Sequence, residues 1–284
     1  MIAPETRANI LIEALPYIKE YNGEIIVVKY GGNAMIDESL KQAVIQDIML
    51  LHLVGIHVVL VHGGGPDISR MLTKTGTESH FINGLRYTDK EAMEIVQMVL
   101  CGKVNKDLVN LLEGKGIGLG GMDGGLFRAV QMTDPEGTDY GYVGEVAQVN
   151  PAIVQDVIER GYIPVISSVA AGLNDSHLYN VNADTAAAKI AVALKAKKLI
   201  LLTDVRGVMR EPGNDESLIR DIKVSQVPAL TMSGAITGGM IPKVDCCVEA
   251  VRSGVERATI QDGRVPHAIL IELLTNEGIG TMFH

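Results

Sequence analysis

Two glycine-rich stretches in this sequence could hold an anion. Lys29 ends the apolar run IIVVK and is followed by Tyr30, Gly31 and Gly32. A buried ammonium group is costly unless an anion meets it, and glycines let a ligand approach the backbone closely. The stretch VHGGGPD (61–67) places three glycines after a second apolar run and before a predicted helix. Its N–H groups and the helix dipole favour an anion at the same place.

Two later stretches add charged side chains. Lys243 in TGGMIPKVD stands at a predicted helix start, where the helix dipole disfavours a cation, although a solvated surface lysine is the alternative. Asn180, Asn182 and Asp184 precede another predicted helix; one of them could be its N-cap, and the carboxylate could position cations. Two lysines from separate parts of the chain could hold one phosphoryl group, because phosphoryl transfer needs mainly positioning and charge stabilisation.

Arg86 in NGLRYTD could bind a carboxylate with its guanidinium group, although a solvated arginine is equally consistent with the spacing.

Two nucleotide-binding motifs are excluded. No G-x-x-x-x-G-K-[ST] occurs, and the literal G-x-G-x-x-G at 116–121 lacks the preceding strand and following helix that a dinucleotide site requires.

The elements that would position these residues alternate between strand and helix. Residues 25–29 and the run from 57 read as buried strands separated by a helix over 39–55, a βαβ pattern that predicts parallel strands. A long helix is predicted over 88–116, with Thr88 as N-cap and Glu91 completing a capping box. Residues 114–125 are predicted to form a loop.

The rest of the chain continues the alternation. We expect two lobes that meet near residues 175–185, each with parallel strands. Ile10–Ile18 is an amphipathic helical pattern that Pro16 should kink or break. The other predicted elements are a meander or hairpin (126–149), helix then strand (151–169, 182–208 and 238–263), a turn or short helix (223–232) and a final apolar run (267–274).

Composition narrows the class of protein. The 284 residues are 47% hydrophobic but only 4% aromatic, so the core must be aliphatic. A net charge of −9 argues against nucleic acid as a partner. Three cysteines form neither a disulfide framework nor a metal-ligand spacing. Neither a membrane-spanning run nor a signal peptide is recognised, which predicts a cytoplasmic protein.

Taken in order along the chain, these stretches resemble the amino acid kinase family, and within it the members that phosphorylate N-acetyl-L-glutamate. The resemblance implies a three-layer αβα sandwich around an open, mainly parallel central sheet, preceded by an N-terminal helix. It implies an oligomerisation helix (1–22), an N-lobe for the acyl amino acid (23–178) and a C-lobe for ATP (179–284). The segments that carry it are VVKYGGNAM, VHGGGPDI, NGLRYTD, MVLCGKVNKDLV, YVGEV, YNVNADTAAAKIA, LILLTDVRGV, TGGMIPKV and GIGTM.

The resemblance also implies a reaction. The γ-phosphoryl group of MgATP would pass to the side-chain carboxylate of N-acetyl-L-glutamate, giving N-acetyl-L-glutamyl 5-phosphate in the second step of arginine biosynthesis. Mg²⁺ would arrive with ATP rather than on a protein ligand, and no tightly bound cofactor is expected. Lys29 and Lys243 would stabilise the phosphoryl charge, and Asp184 would orient both lysines. The other implied site residues are Gly32, Gly64 and Gly65 for the phosphoryl group and attacking carboxylate, Arg86 and Asn180 for the rest of the acceptor, and Thr203, Asp204 and Gly207 for the nucleotide.

A second resemblance concerns arginine-inhibited members, in which an N-terminal helix links dimers into a hexamer. It implies an L-arginine site near Tyr17, Lys198, His267, Glu272 and Gly278, and it leaves open whether a PII-type signalling protein binds. One departure is Met122, where many members carry a lysine. Alternatives are a kinase for aspartate, free glutamate, carbamate or uridylate, and a non-catalytic arginine or nucleotide sensor.

Overall fold

The computed structural model describes residues 3–284, so the first two residues of the predicted 1–22 helix lie outside the described part of the chain. Eight strands form a single sheet in the order β12-β14-β13-β11-β1-β2-β8-β5. Four more strands close into a small barrel, β10-β7-β6-β9, and β3 and β4 form a separate hairpin. The strands are β1 (Ile25–Tyr30), β2 (His57–His62), β3 (Phe81–Ile82), β4 (Leu85–Arg86), β5 (Gly116–Gly120), β6 (Phe127–Gln131), β7 (Val143–Val149), β8 (Ile163–Ser167), β9 (Val169–Gly172), β10 (Leu178–Val181), β11 (Lys198–Thr203), β12 (Asp221–Ile222), β13 (Arg257–Asp262) and β14 (Thr281–Phe283).

Helices cover both faces of the large sheet, which gives the three layers that the resemblance implies. Apolar residues of α6, α7 and α9 pack on one face, and those of α2, α3, α4, α5 and α10 pack on the other. The helices are α1 (Pro4–Tyr21), α2 (Glu38–Leu53), α3 (Gly65–Thr75), α4 (Lys90–Gln97), α5 (Asn105–Leu111), α6 (Ala152–Glu159), α7 (Ala183–Ala193), α8 (Val227–Met232), α9 (Ile241–Arg252) and α10 (Ala268–Leu274).

The central strands are parallel, as the βαβ pattern predicts. β1 pairs in parallel with both β2 and β11, and only the β13–β14 pair within this sheet is antiparallel. The pairing of β1 with β11 joins strands from both halves of the chain, so one continuous sheet serves both predicted lobes. The lobe boundary expected at 178–179 falls at the start of β10.

Two expectations about the middle of the chain are wrong, the N-cap at Thr88 and the loop at 114–125. The predicted long helix is present as one continuous run over 90–111, shorter than the expected 88–116, and a π-helical stretch (Met98–Val104) lies within it between α4 and α5. Asp89, not Thr88, is the N-cap of α4, and its side chain accepts a hydrogen bond from the Ala92 N–H at 2.7 Å. The predicted loop at 114–125 contains β5, an edge strand of the large sheet.

The glycines that suggested a loop in β5 have a packing role. A Cβ on Gly118 would lie 2.0 Å from Asn105 Oδ1, and one on Gly116 would lie 2.9 Å from Leu112 Cδ1. These glycines therefore let α5 approach the strand closely. At the N-terminus, α1 continues through Pro16, so the predicted break is absent. Within residues 3–284, no helix combines the length and apolar character that crossing a bilayer requires.

Candidate active site

The carboxylate of Asp184 lies between two lysines. Lys29 Nζ is 2.9 Å from Asp184 Oδ1, and Lys243 Nζ donates a hydrogen bond to Asp184 Oδ2 at 2.7 Å. Lys29 and Asp184 are 8% and 6% exposed. Burial raises the pKa of the Asp184 carboxyl group, but the two ammonium groups outweigh burial and hold it at about 2. The Asp184 carboxyl group is therefore ionised at neutral pH, and its negative charge lies between two lysine side chains.

Each member of this cluster sits at the end of an element. Lys29 lies near the carboxyl end of β1, Asp184 in the first turn of α7 and Lys243 in the first turn of α9. The Asn182 side chain caps α7 by accepting hydrogen bonds from the N–H groups of Asp184 and Thr185 at 2.8 and 3.2 Å. Because Asn182 caps the helix, the Asp184 carboxylate can pair with the two lysines. It also offsets the unfavourable placement of Lys243 at a helix N-terminus.

The glycines after β1 leave room for charged side chains. A Cβ on Gly31 would lie 2.9 Å from Lys29 Nζ. Gly32 has a φ of +74°, and a Cβ there would lie 2.9 Å from both carboxylate oxygens of Asp204. Gly31 therefore protects the position of the ammonium group, while Gly32 satisfies both a left-handed turn and a close approach.

The second glycine turn, Gly63–Gly65, opens helix α3. Gly64 is the N-cap with an extended φ of 177°, so backbone handedness does not require a glycine there. Close packing does, because its Cβ would lie 2.7 Å from Leu100 Cδ2. The N–H groups of the first helical turn have no partner within the helix and can bind an anion.

These glycines line a cavity of about 450 Å³ together with Arg86, Asn180 and Ser168. Arg86 is buried, and its guanidinium group donates to Ser69 Oγ at 2.7 Å, to the Gly65 carbonyl at 3.1 Å and to Ser79 Oγ. Its Cζ also lies 4.7 Å from the centre of the Phe81 ring. All of these contacts are with neutral groups, and no carboxylate of residues 3–284 pairs with it.

A buried arginine held only by neutral groups has incomplete charge compensation. Burial lowers the pKa of the Arg86 guanidinium group, which reflects the cost of removing the charge from water. A carboxylate in the adjoining cavity would repay that cost through charge-assisted hydrogen bonds. Asn180 completes this wall, and its amide donates to Thr88 Oγ1 at 3.2 Å.

A second cavity of about 510 Å³ is lined by Asp204, Gly207, Lys243 and the apolar side chains of Met209 and Met240. Thr203 does not line it and lies at the end of β11. A third cavity of about 940 Å³ shares Lys243 with this one and Asn182 with the first. Lys243 and Asp184 therefore both line the third cavity, which lies between the second cavity and the first, the arginine-walled cavity beside Arg86, whereas Lys29 lines none of the three.

The residues expected to bind arginine are brought together in part. Tyr17, Lys198, Glu272 and Gly278 line a separate cavity of about 720 Å³. Lys198 Nζ lies 2.6 Å from Glu272 Oε1, and both side chains are buried. His267 does not line this cavity.

His267 belongs instead to the beginning of α10. Its Nδ1 lies 2.6 Å from Asp47 Oδ1 on α2, and Asp47 is fully buried. Burial raises the pKa of the Asp47 carboxyl group, against the lowering effect of His267 and of N–H groups at the start of α10.

The side chains that hold the predicted site residues in place were not identified from the sequence. Ser69 and Ser79 bind Arg86, and neither has a motif that would have identified it. Ser69 could have been suspected, because it lies one helical turn after Gly65 on α3. His62 and Asn105, buried behind the second glycine turn, were also missed.

Comparison with known proteins agrees with this geometry. Residues 24–262 match the model of the amino acid kinase family. The chain is 58% identical to acetylglutamate kinase of Clostridium beijerinckii, with 100% of both chains covered. It is 52% identical to acetylglutamate kinase of Heliobacterium modesticaldum, with 99% of both covered.

A solved structure extends the comparison. It is N-acetylglutamate synthase from Neisseria gonorrhoeae complexed with coenzyme A and N-acetyl-glutamate, and it superposes with a TM-score of 0.85 at 26% identity. The match covers 97% of this chain and 63% of that one. The ion cluster, the glycine turns and the full-length matches lead to one conclusion. The chain belongs to the amino acid kinase family and is a phosphotransferase.

Proposed function

We propose that this enzyme transfers the γ-phosphoryl group of MgATP to the side-chain carboxylate of N-acetyl-L-glutamate, as a step of arginine biosynthesis. The observation that carries the choice of acceptor is Arg86, a buried guanidinium group beside a cavity and paired only with neutral groups. N-acetyl-L-glutamate has a second carboxylate to place there. The names of the full-length relatives support the same acceptor.

The proposed chemistry is a direct displacement. A carboxylate oxygen of the acceptor attacks the γ-phosphorus, the bond from phosphorus to the bridging oxygen breaks, and its electron pair leaves with ADP. The carboxylate is already ionised, so no general base is needed. The barrier arises mainly from repulsion between anions, which Lys29, Lys243 and the N–H groups of Gly32, Gly64 and Gly65 would reduce.

The nucleotide would occupy the cavity lined by Asp204, Gly207 and Lys243, and its γ-phosphate would extend toward Asp184. In this arrangement Asp184 does not attack. It keeps two ammonium groups close together and aimed at one phosphoryl group. Residues 23–178 would supply most of the acceptor site and residues 179–284 most of the nucleotide site.

The test is a side-by-side assay of phosphoryl transfer from MgATP to N-acetylglutamate, glutamate and aspartate, in which the acyl phosphate is trapped with hydroxylamine. We expect the acetylated acceptor to be strongly preferred. Arg86→Lys should raise its KM about 10-fold, the effect of a lost charge-assisted hydrogen bond. Arg128→Lys is the matched control, because Arg128 is an exposed residue of β6 and does not line the cavity. Equal or greater activity on free glutamate would refute the proposal.

We further propose that L-arginine inhibits the enzyme from the cavity lined by Tyr17, Lys198, Glu272 and Gly278. Glu272 could accept the guanidinium group, and Lys198 could pair with the α-carboxylate. His267 would act indirectly, by fixing the start of α10 through Asp47. A titration of activity with arginine tests the proposal, and Glu272→Gln should abolish any inhibition.

A hexamer, arranged as a trimer of dimers, is proposed from α1. Its side chains Ile10, Leu11, Ile12 and Leu15 are 51%, 72%, 66% and 41% exposed. Four large apolar side chains in solvent on one helix are typical of a surface that binds another chain. A second copy of the same helix would bury them.

A further inference from the structure

His62 and Asn105 form a buried polar pair directly behind the second glycine turn. His62 ends β2 and is fully buried, and Asn105 begins α5 with 1% exposure. Buried polar side chains are costly unless their hydrogen bonds are satisfied. The partners of this pair therefore indicate what it does.

The hydrogen bonds around His62 define one tautomer. Its Nδ1 lies 2.9 Å from the Gly63 carbonyl oxygen, which can only accept, so Nδ1 carries the proton. Its Nε2 lies 3.1 Å from Asn105 Nδ2 and accepts from it. Asn105 Nδ2 also donates to the Val165 carbonyl at 2.8 Å, which fixes the orientation of the amide. Burial lowers the pKa of His62 to about 4, so the ring is neutral at physiological pH.

The Gly63 carbonyl matters because it shares a planar trans peptide with the N–H of Gly64. A hydrogen bond that holds the carbonyl on one side aims this N–H to the other side. Gly64 N–H makes no backbone hydrogen bond within the described residues, and Gly64 lines the arginine-walled cavity. Between two glycines, such a peptide would otherwise rotate easily.

The π-helical segment contributes to the same arrangement. Leu100 and Val104 from this segment pack against Gly64, and a Cβ there would lie 2.7 and 3.3 Å from their side chains. Asn105 is the first residue after the segment. A π-helical turn adds a residue to the helix and so changes the direction of the side chains that follow it. Gly118 on β5 then leaves the space that the Asn105 amide occupies.

We propose that His62 and Asn105 are positioning residues that aim the N–H of Gly64 at the transferring phosphoryl group or the attacking carboxylate. The π-helical segment and Gly118 hold them in place. The inference rests on the proposed function for the identity of the reaction. It predicts that disturbing Asn105 from a distance lowers kcat, although no group that touches substrate is changed.

Gly118→Ala provides that disturbance, because the added Cβ would lie 2.0 Å from Asn105 Oδ1. A displacement of about 1 Å in a catalytic group costs about 100-fold in rate, so we expect kcat to fall about 10- to 100-fold and the KM for ATP to change less than about twofold. Gly116→Ala is the matched control. It makes the same change two residues away, where the Cβ meets Leu112 and Val109 instead. Its kcat should stay within about twofold of the wild type.

Two substitutions of His62 separate its two hydrogen bonds. An Asn side chain can place its N–H near the position of Nδ1, whereas a Gln side chain places its amide near Nε2. His62→Asn should therefore retain the bond to the Gly63 carbonyl and keep most of the activity. His62→Gln should lose that bond and reduce kcat about 10- to 100-fold, as a misaimed oxyanion donor does. A merely structural role would not produce this order.

Nitrogen-15 NMR of the wild-type protein tests the tautomer without any variant. We expect one buried histidine with Nδ1 protonated and Nε2 unprotonated, unchanged between about pH 5 and 8. The opposite tautomer, equal activity of the Gly118→Ala and Gly116→Ala enzymes, or a His62→Gln enzyme as active as His62→Asn would each overturn the inference. Wild-type protein inactive on N-acetylglutamate would refute the proposed function instead, and the NMR result would still decide the tautomer.

Discussion

The sharpest prediction concerns Asp184→Asn. The substitution keeps the shape of the side chain but removes the negative charge between Lys29 and Lys243. In the folded protein, burial and the two lysines together place the pKa of the Asp184 carboxyl group at about 2, against an ordinary value of 3.8. That difference corresponds to about 2 kcal/mol of folding free energy at pH 7. Removing one partner of a buried ion pair costs about 3 to 5 kcal/mol, so we expect Asp184→Asn to destabilise the protein by at least about 2 kcal/mol at pH 7.

The sign of the pH dependence follows from the direction of the shift. A carboxyl group with a lowered pKa in the folded state stabilises the protein above its unfolded pKa, here 3.8, and loses that contribution as the pH falls toward 2. The difference in unfolding free energy between wild type and Asp184→Asn should be largest at neutral pH. It should fall by about half near pH 3.

The assay is urea unfolding of both proteins at fixed protein concentration over a pH series. Asp47→Asn is the control, since burial raises the Asp47 pKa and the sign reverses: wild type should gain stability relative to this variant as the pH falls. Asp184→Asn should also lower kcat by orders of magnitude. A stability difference below about 0.5 kcal/mol at pH 7, or one independent of pH down to 3, would refute the inference that the two lysines stabilise the Asp184 carboxylate.

Three further predictions concern the site and the assembly. Lys29→Met should lower kcat by at least about 100-fold, while circular dichroism shows that the protein is still folded. Near-normal turnover would contradict a catalytic role for Lys29. Gly31→Ala should reduce kcat about 10-fold or more, because the added Cβ displaces the Lys29 ammonium group. Gly65→Ala should fold normally, because its Cβ meets open space. Deleting residues 1–20 should convert the proposed hexamer to dimers in light scattering and weaken arginine inhibition; an unchanged mass would contradict the role given to α1.

The parts of the fold that sequence predicted best are those governed by local patterns. The buried apolar runs of β1 and β2 predicted parallel strands, and the two strands do pair in parallel. The anion site at the glycine turns after them stays a prediction. The sequence pattern was misleading at β5, because its glycines serve contacts with Asn105 and Leu112 that lie close in space but not in sequence. The π-helical segment could not be predicted either, since its buried Val99, Leu100 and Val104 continue the apolar pattern of the helices on both sides.

The candidate site likewise contains residues that local sequence predicted and residues that it did not. Lys29, Asp184 and Lys243 each stand in a recognisable local context, so their types predicted a phosphoryl site and the fold brought them together. Of the two serines that bind Arg86, Ser69 could have been suspected from its place on α3, but Ser79 could not, because its hydroxyl meets the guanidinium group only in the folded chain. The expected place of His267 rested on resemblance alone, and its contact with Asp47 links residues 220 positions apart.

The cluster of two lysines and one carboxylate lies within a protein of net charge −9, and this contrast affects how substrates arrive. At physiological salt an exposed charge is screened beyond about 8 Å, so an anion in solution first meets a protein of net negative charge. It experiences the ammonium groups only after it has entered the cleft. Long-range steering therefore opposes the capture of a bare polyanion, and moderate ionic strength should ease its approach. Such a cleft favours a nucleotide whose charge is already partly neutralised, as it is when magnesium is bound.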